Sequence, residues 1–238
     1  MINSKRVIAI IPARGGSSRL LGKNIKKLHG KPLIAWTVEK AKKSKYLDEI
    51  MVTTDNQEIS DVSKEYGASV PFLRPVELAG DDSPTYDAIE HALKYYQDCF
   101  QQEFDYIVLL EPTSPLREDD DIDNMLEKLD EHENEFDSIV SVGQVFDHAN
   151  IIKHLEGMRV EPFFSSSEKK SKNKNSAPAF FPYGVAYIVK TNALLKEKTV
   201  YTKKCMSHII KRYQNYEIDD IYDFICVDNV MKYEWGLK

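Results

Sequence analysis

The sequence has few cysteines and no long hydrophobic run, and each absence excludes a class of protein. Cys99, Cys205 and Cys226 are an odd number without the CxxC or Cys/His spacing of a metal site, so we expect neither a disulfide framework nor a cysteine zinc site among the 238 residues. We predict ordinary buried or half-buried thiols instead. No apolar run approaches the roughly 20 residues that span a bilayer, and the first apolar stretch is too short for a secretory signal. The sequence therefore predicts a soluble, cytoplasmic protein with no membrane partner.

Positively charged residues are fewer than negatively charged ones: the sequence has 32 Lys and Arg residues and 38 Asp and Glu residues. Many of the acids lie in residues 118–137, which we interpret as the solvated face of a helix. The basic cluster at 168–174 has no interleaved aromatic residues, so nucleic acid is not expected as a partner. A hydrophobic content of 42% with ten Gly and ten Pro excludes disorder, collagen-like repetition and coiled coil. The length is that of one large domain.

Short apolar runs alternate along the chain with helical patterns. The runs predict strands at RVIAII (6–11), EIMVTTD (49–55), YIVLLEP (106–112), DSIVSVG (137–143) and YGVAYIVK (183–190), and a last strand that enters a helix at YEIDDIYDFICVDNVMKY (216–233). Helices are predicted at residues 32–44, 56–67 and 83–97. Pro32 suits a helix start, and Ser83 with Pro84 suits an N-cap followed by the first helical residue.

This alternation is typical of a mostly parallel α/β sheet with helices on both faces. Ligands of such sheets bind beyond the carboxyl ends of the strands. We therefore expect the functional site in the loops that follow Ile11, Asp55 and Leu110. Residues 146–182 interrupt the alternation, and we expect them to form an excursion from the sheet with a mobile loop near 165–176.

The segment PARGGSSR, which directly follows the first predicted strand, has the features of an anion-binding loop. The paired Gly15 and Gly16 would let backbone N–H groups approach an anion without obstruction by Cβ atoms. Arg14, Arg19 and Lys23 add positive charge, and an arginine can donate two parallel hydrogen bonds to phosphate. The pattern is neither the GxGxxG dinucleotide fingerprint nor the GxxxxGK[ST] loop. It predicts a phosphate-binding loop of another kind.

The longer segment IIPARGGSSRLLGKN (10–24) resembles the nucleotide-binding signature of the cytidylyltransferases that activate 3-deoxy sugar acids, above all the acylneuraminate cytidylyltransferases, or CMP-sialic acid synthetases. The resemblance continues in family order through VTTD (52–55), RPVELAGDDSPT (74–85), LLEPTSPLR (109–117), YGVAYI (183–188) and YEIDDIYDF (216–224). It implies a Rossmann-like fold with one nucleotidyltransferase domain over residues 1–238. It also implies a homodimer in which the excursion at 146–182 of each subunit helps to close the partner's site.

The same resemblance implies a reaction and assigns residues to it. The anomeric hydroxyl of a 2-keto-3-deoxy sugar acid would attack the α-phosphorus of CTP, and pyrophosphate would leave. Arg14 and Lys23 would hold the phosphates as the catalytic cations, and Glu217 with Asp219 would hold Mg²⁺, or Mn²⁺ in its place. The further nucleotide contacts that the resemblance implies are Gly15, Gly16, Ser17, Arg19, Asn24, Ser83 and Thr85. Residues 217 and 219 would point to the same side of an extended strand.

The sequence departs from the family in the phosphate-binding loop and on the side expected to face the sugar. Ser18 stands where the family usually has lysine; the adjacent Arg19 is a possible replacement, since SSRL is also similar to the CMP-Kdo synthetases. Glu111 stands where the family usually has glutamine. Phe181 and Tyr183 lie near positions that are commonly Arg and Asn. Two aromatic rings suit an apolar substituent, so we predict a legionaminic-type diacetamido acid as acceptor; packing under the sheet is the alternative for both rings.

Three other functions stay open at this point. A CMP-Kdo synthetase would use the same chemistry on an eight-carbon acid. A nucleotide-binding or sugar-nucleotide-binding module without turnover would account for the departures at Ser18 and Glu111, but the retained Arg14, Lys23 and carboxylates argue against it. An oxidoreductase is disfavoured because the GxGxxG motif and its acidic ribose partner are both missing. Nucleotidyl transfer needs positioning and charge neutralisation more than a covalent nucleophile, and the residues present supply both.

Overall fold

A computed structural model describes residues 1–145, 152–163 and 178–237. The loop predicted near 165–176 and the basic cluster at 168–174 lie outside the described residues. The strands are β1 (Val7–Pro12), β2 (Lys27–Leu28), β3 (Lys31–Pro32), β4 (Glu49–Thr53), β5 (Tyr106–Leu109), β6 (Ser138–Val145), β7 (Lys153–Glu156), β8 (Arg159–Pro162), β9 (Ala179–Lys190) and β10 (Cys205–Ile209). The helices are α1 (Leu33–Ala41), α2 (Gln57–Glu65), α3 (Thr85–Phe100), α4 (Asp121–Glu131), α5 (Thr191–Glu197) and α6 (Ile221–Trp235), with 3₁₀ turns at Lys23–Ile25, Val76–Leu78 and Arg212–Asn215. Within the described ranges, no helix combines the length and the apolar character needed to cross a bilayer.

Six strands form one central sheet in the order β10–β6–β9–β5–β1–β4. Strand β1 pairs in parallel with β4 and β5, and β6 pairs in parallel with β10. Among the described strands of this sheet, only β9 is reversed, since it runs antiparallel to both β5 and β6. The mostly parallel, Rossmann-like sheet predicted from the sequence is confirmed.

Helices cover both faces of this sheet. Val7, Ala9 and Ile11 of β1 pack on one side with α1, α2 and α4, whereas Ile8 and Ile10 pack on the other side with α3 and α5. Because β1 is buried on both faces, its sequence is a continuous apolar run instead of an alternating one. Burial of each such isoleucine side chain contributes about 1.5–3 kcal/mol. The carboxyl ends of β1, β4 and β5 are thereby fixed side by side.

The structure confirms the predicted strands β1, β4, β5, β6 and β9, and it corrects the prediction at the C-terminal side. Strand β10 was not predicted; it lies at the sheet edge, where its half-buried and exposed side chains give no apolar run. The strand predicted at the start of 216–233 is wrong, because residues 216–220 join no ladder in the described part of the chain. They are instead a short connection between a 3₁₀ turn and α6.

The helix starts also differ from the prediction by one residue. Pro84 is the N-cap of α3, with an extended ψ of 138°, so the helix begins after it. Ser83 therefore does not cap the helix; its hydroxyl accepts a hydrogen bond from Gly80 N at 3.1 Å and donates one to Glu77 O at 3.1 Å. Pro32 is likewise the N-cap of α1. Ser83 thus orders the loop before α3 instead of the helix itself.

The acidic stretch at 118–137 contains α4, as predicted. The buried side of this helix carries Ile122, Met125, Leu126 and Leu129. The expectation of buried thiols is wrong for two of the three cysteines: Cys99 and Cys226 are exposed on α3 and α6. All three thiols are free.

Strand β9 is irregular where it passes the ends of the parallel strands. Its register with β6 shifts around Ser141. The Ser141 hydroxyl accepts a hydrogen bond from Ala186 N at 3.0 Å and lies 2.5 Å from Tyr183 O, to which it donates. A bulge of this kind bends a strand and releases backbone groups from the ladder. Here it brings Gly184 against the loop that follows β5.

Between β6 and β9, the described strands β7 and β8 lie outside the main sheet. Strands β7 and β8 form a separate two-stranded hairpin, which turns at Gly157 with φ of +61°. The predicted C-terminal boundary of the excursion is a few residues too late, because β9 begins at Ala179 and pairs there with Val145 of β6.

Candidate active site

A cleft of about 330 Å³ opens beyond the carboxyl ends of β1 and β5. Its walls come from the loop after β1, the segment that leads into α3, the start of the loop after β5, and one residue before α6. The predicted site residues that line it are Arg14, Ser17, Arg19, Lys23, Asn24, Ser83, Thr85, Glu111 and Asp219. The structure therefore gathers in one place residues that are more than 200 positions apart in the sequence.

Five predicted residues are not part of the cleft walls. Gly15 and Gly16 lie in the loop after β1 but do not line the cleft, and neither do Phe181, Tyr183 and Glu217. Glu217 lies close behind the wall, because its carboxylate contacts Ser114 and Gly184 next to Glu111.

Two amides at the glycine pair already donate to groups within the protein. The Gly15 amide donates to Asp55 Oδ1 at 2.8 Å, and the Ser17 amide donates to Gly15 O at 3.0 Å. Gly15 is required for another reason, since a Cβ atom there would lie 2.9 Å from the side chain of Asn56. A Cβ at Gly16 would point into open space. The loop is therefore anchored to the end of β4, and its cationic side chains remain as the main groups for an anion.

Those cations are paired with carboxylates in the structure. Arg14 Nη2 lies 2.5 Å from Asp81 Oδ1 on the segment before α3. Asp219 contacts two cations, because Lys23 Nζ lies 3.1 Å from its Oδ1 and Arg19 Nη2 lies 3.2 Å from its Oδ2. The carboxylates occupy positions that phosphate oxygens could take, since both are anionic acceptors for the same donors.

Arg74 is a cleft residue that sequence reasoning missed. It is buried, and its Nε has no hydrogen-bond acceptor among the described residues. Burial lowers the pKa of Arg74, against the opposing effect of Asp55, and the like charge of Arg14 lowers it further. A buried guanidinium N–H without a partner is costly. An acceptor atom of a bound ligand would remove that cost. The signal that could have found Arg74 is its place in RPVELAGDDSPT, the segment that forms one wall.

Glu111 lies at the junction of the cleft with β9. A Cβ atom on Gly184 would be only 2.6 Å from the Glu111 Cβ, so only glycine fits at that point of the strand. Burial raises the pKa of Glu111 to about 7, and the nearby Glu217 carboxylate raises it as well. Near neutral pH this side chain is therefore protonated for much of the time and can donate a hydrogen bond, as a glutamine would.

A glutamine at this position should stabilise the protein in a pH-dependent way. The pKa of Glu111 is raised from 4.5 to about 7 in the folded state. Ionisation of this carboxyl group therefore lowers the free energy of unfolding as the pH rises through that window. We expect Glu111→Gln to raise the free energy of unfolding by about 2–3 kcal/mol at pH 8 and by less than about 1 kcal/mol at pH 5. Urea unfolding in EDTA at both pH values measures this. Glu65→Gln, on the exposed end of α2, is the control, and an equal gain at both pH values would contradict the assignment.

Two further residues of the LLEPTSPLR segment, Arg117 and Ser114, connect the loop after β5 to other parts of the chain. Arg117 is fully buried and donates to the carbonyl oxygens of Val185, Gly184 and Glu111. These contacts include carbonyl groups at the irregular part of β9. The pKa of Arg117 is lowered to about 10 by burial. Ser114 is also buried and contacts Glu217. Neither residue received a role from the sequence, because both act through distant parts of the chain.

The two aromatic residues expected near the sugar form a pair. The rings of Phe181 and Tyr183 lie 5.2 Å apart in an edge-to-face arrangement. Phe181 is exposed, so the alternative of packing under the sheet does not hold for it. Tyr183 is half-buried, and burial raises its pKa, with Glu217 nearby as the next cause. Their contact with a substrate remains a prediction.

The two carboxylates expected to bind metal differ in surroundings. Asp219 lines the cleft, and its side chain is 45% exposed. Glu217 is half-buried and fixed by hydrogen bonds. Among the described residues, no group of three or more His, Cys, Asp or Glu side chains could hold an ion by itself. The two carboxylates fit a hard cation such as Mg²⁺ if phosphate oxygens and water complete its coordination.

Comparison with known proteins gives consistent matches over almost the whole chain. A family model described as "Cytidylyltransferase" matches residues 8–231. An N-acylneuraminate cytidylyltransferase of Escherichia coli is 34% identical over 92% of this chain, which spans 50% of that protein. A CMP-N,N'-diacetyllegionaminic acid synthase of Legionella pneumophila is 35% identical over 95% of this chain and 97% of its own length. The chain thus spans about half of the first relative and nearly all of the second.

Solved structures show the same fold. A structure described as CMP:2-keto-3-deoxy-manno-octonic acid synthetase complexed with CTP has a TM-score of 0.70 and 16% identity, and the match covers 96% of this chain and 99% of that one. A 4-diphosphocytidyl-2C-methyl-D-erythritol synthase from Anaerococcus prevotii has a TM-score of 0.65 and 13% identity. At these identities the likeness is one of fold.

Proposed function

Because this chain belongs to the cytidylyltransferase family, we propose that it transfers CMP from CTP to the anomeric hydroxyl of a nonulosonic acid and releases pyrophosphate. The observation that carries the proposal is the cleft in which Arg14, Lys23 and Arg74 lie beside Asp219, with Glu217 close behind the wall. This combination provides cations for a polyphosphate and carboxylates for the metal ion that accompanies it. The relatives that match most of the chain support nonulosonic acids as the acceptor class.

The cations of the cleft would do most of the catalytic work. Arg14 and Lys23 would exchange their carboxylate partners for phosphate oxygens and neutralise the charge that develops as pyrophosphate leaves. Arg74 would direct its unpaired Nε toward an acceptor of the nucleotide. Ser17, Asn24, Ser83 and Thr85 complete the wall beside it. The chain would thus position CTP and leave the acceptor hydroxyl as the attacking group.

We propose Mg²⁺, with Mn²⁺ as a replacement, as the ion held by Glu217 and Asp219. When bound, such an ion supplies positive charge to the phosphates and orients them. Asp219 would then release Lys23 and Arg19, which contact its two oxygens in the structure. Arg19 would in this way take the place of the lysine that is missing at Ser18.

A legionaminic-type acid is the acceptor that this site favours. Glu111 is protonated for much of the time near pH 7 and therefore does not repel a sugar carboxylate as strongly as a charged residue would. The exposed Phe181 with Tyr183 offers an apolar surface near Glu217. Such a surface suits the deoxygenated and acylated side chain of a diacetamido acid.

A second copy of the chain is the partner we propose for the hairpin β7–β8. Leu155 and Val160 are paired across it, yet they are 73% and 65% exposed. An isolated two-stranded hairpin is marginally stable in water, and exposed apolar side chains of this kind mark interaction surfaces. Sedimentation equilibrium should give the mass of a homodimer.

Exposed free thiols such as Cys99 suit the reducing cytoplasm, which we propose as the location.

Pyrophosphate release from CTP with a panel of acceptors tests the proposed function. We expect turnover with nonulosonic acids and the highest kcat/KM with N,N'-diacetyllegionaminic acid, since specificity is a ratio of these constants at fixed CTP. Higher kcat/KM with N-acetylneuraminic acid would refute the acceptor assignment. A preference for Kdo would identify a CMP-Kdo synthetase, and nucleotide-induced thermal stabilisation without any turnover would indicate a binding module.

A further inference from the structure

The segment that carries Glu217 and Asp219 is held in place by the turn after β5. Residues 216–220 join no ladder within the described chain, so strand pairing does not fix them. Instead the amide of Ile218 donates to Thr113 O at 2.8 Å. The next residue of the turn, Ser114, donates its hydroxyl to Glu217 Oε1 at 2.5 Å. These two contacts connect parts of the chain that are more than 100 residues apart.

The hydrogen bonds of Glu217 all fall on one of its two oxygens. Oε1 accepts from Ser114 Oγ and from Gly184 N, both at 2.5 Å. Among the described residues, none donates a hydrogen bond to Oε2. The carboxylate is therefore fixed through one oxygen and keeps the other available for a further ligand.

Asp219 is held in a different way. Its two oxygens contact the long side chains of Lys23 and Arg19, and its own side chain is 45% exposed. The Arg19 side chain is 70% exposed, and a surface ion pair of this kind restricts a side chain weakly, whereas the Lys23 side chain is 17% exposed. The two carboxylates of the segment therefore differ, since Glu217 accepts from two buried groups and Asp219 contacts one exposed and one mostly buried cation.

We propose that Ser114 is a positioning residue that orients Glu217 as the fixed ligand of the divalent cation, a role that rests on the metal site of the proposed function. Hydrogen bonds from groups behind a metal ligand set its orientation, and their removal weakens metal affinity by roughly 10- to 100-fold. The Ser114 hydroxyl is buried and directly contacts Glu217, so its loss leaves Gly184 N as the single remaining donor to that carboxylate within the described chain.

Mn²⁺ binding measured by electron paramagnetic resonance, with an unreactive α,β-methylene analogue of CTP present, tests this role. We expect Ser114→Ala to raise the Mn²⁺ Kd by roughly tenfold or more. Ser114→Thr, which keeps a hydroxyl, should retain most of the affinity, and Ser114→Cys, with a weaker donor, should be intermediate. In turnover assays Ser114→Ala should need more Mg²⁺ but recover most of its kcat at high Mg²⁺.

Ser138→Ala is the matched control, because Ser138 is equally buried and bonds Thr202 at 2.8 Å, outside the cleft walls. Thermal melts show whether each variant is folded. If Ser114→Ala is unfolded, the Mn²⁺ Kd values of Ser114→Thr and Ser114→Cys test the proposal in its place. An unchanged Kd in the folded Ser114 variants, an equal increase in Ser138→Ala, or no Mn²⁺ binding by the unmodified protein would overturn the proposal. Weakened Mn²⁺ binding by Ser114→Ala, together with no CMP transfer by the unmodified protein, would uphold the role of Ser114 and refute only the proposed function.

Discussion

Replacing Lys23 by methionine should lower kcat/KM for CTP by roughly 30- to 1,000-fold while the protein remains folded. The lysine lines the cleft and contacts Ile218 O and Asp219 Oδ1, both at 3.1 Å. With nucleotide bound, we expect its ammonium group to turn to the phosphates. Removal of one preorganised electrostatic contact costs on the order of 2–4 kcal/mol of transition-state stabilisation, which corresponds to this range of rates.

Steady-state kinetics with CTP as the varied substrate measure the effect, and circular dichroism reports the fold. Lys27→Met is the control, because Lys27 is an exposed lysine on the nearby β2 that does not line the cleft. Arg14→Ala should show a loss of similar size. If Lys23→Met unfolds, or if its activity per folded molecule is normal, then the residue is structural and its assignment to the phosphates is wrong.

The second large effect is expected for Asp219→Asn, which removes the exposed carboxylate of the metal site. A bound metal contributes several kcal/mol to stabilisation of phosphoryl charge, so we expect kcat to fall by about 100-fold or more. The same variant should not lose affinity for CTP when no metal is present. Since Asp219 neutralises Lys23 and Arg19 in the structure, CTP binding in EDTA should be as tight as in the unmodified protein, or tighter.

Isothermal titration with CTP in EDTA and turnover assays in Mg²⁺ separate these two effects. Asp98→Asn makes the same change of charge on the exposed far end of α3 and should alter neither. Undiminished turnover by Asp219→Asn would refute the metal role. Weaker binding of CTP in EDTA would show that Asp219 organises the cations instead of competing with phosphate for them.

The parts of the site that the sequence predicts lie within short motifs of neighbouring residues. Arg14 and Lys23 could be identified because they lie in one loop directly after an apolar strand, and such loops meet at the carboxyl edge of a parallel sheet. The geometry of the glycines could not be identified in the same way. The Gly15 amide is engaged by Asp55, which is 40 residues away, and no local pattern encodes that contact.

The parts that sequence reasoning missed depend on pairing between distant segments. Arg117 binds carbonyl groups of β9 that are 67 and 68 residues away, and Ser114 binds Glu217 at a separation of 103. Gly184 offered a usable signal, because glycine inside a strand often marks a close approach of another group. In the structure that group is Glu111.

The transfer of label from CTP tests most directly whether the cleft catalyses attack at the α-phosphorus. The protein is incubated with N,N'-diacetyllegionaminic acid, Mg²⁺ and CTP labelled with ³²P at either the α or the γ position. We expect the α label in a sugar nucleotide and the γ label in pyrophosphate, with both products greatly reduced for Lys23→Met. Transfer of the γ label to the sugar, or no transfer of either label to any nonulosonic acid, would contradict this account.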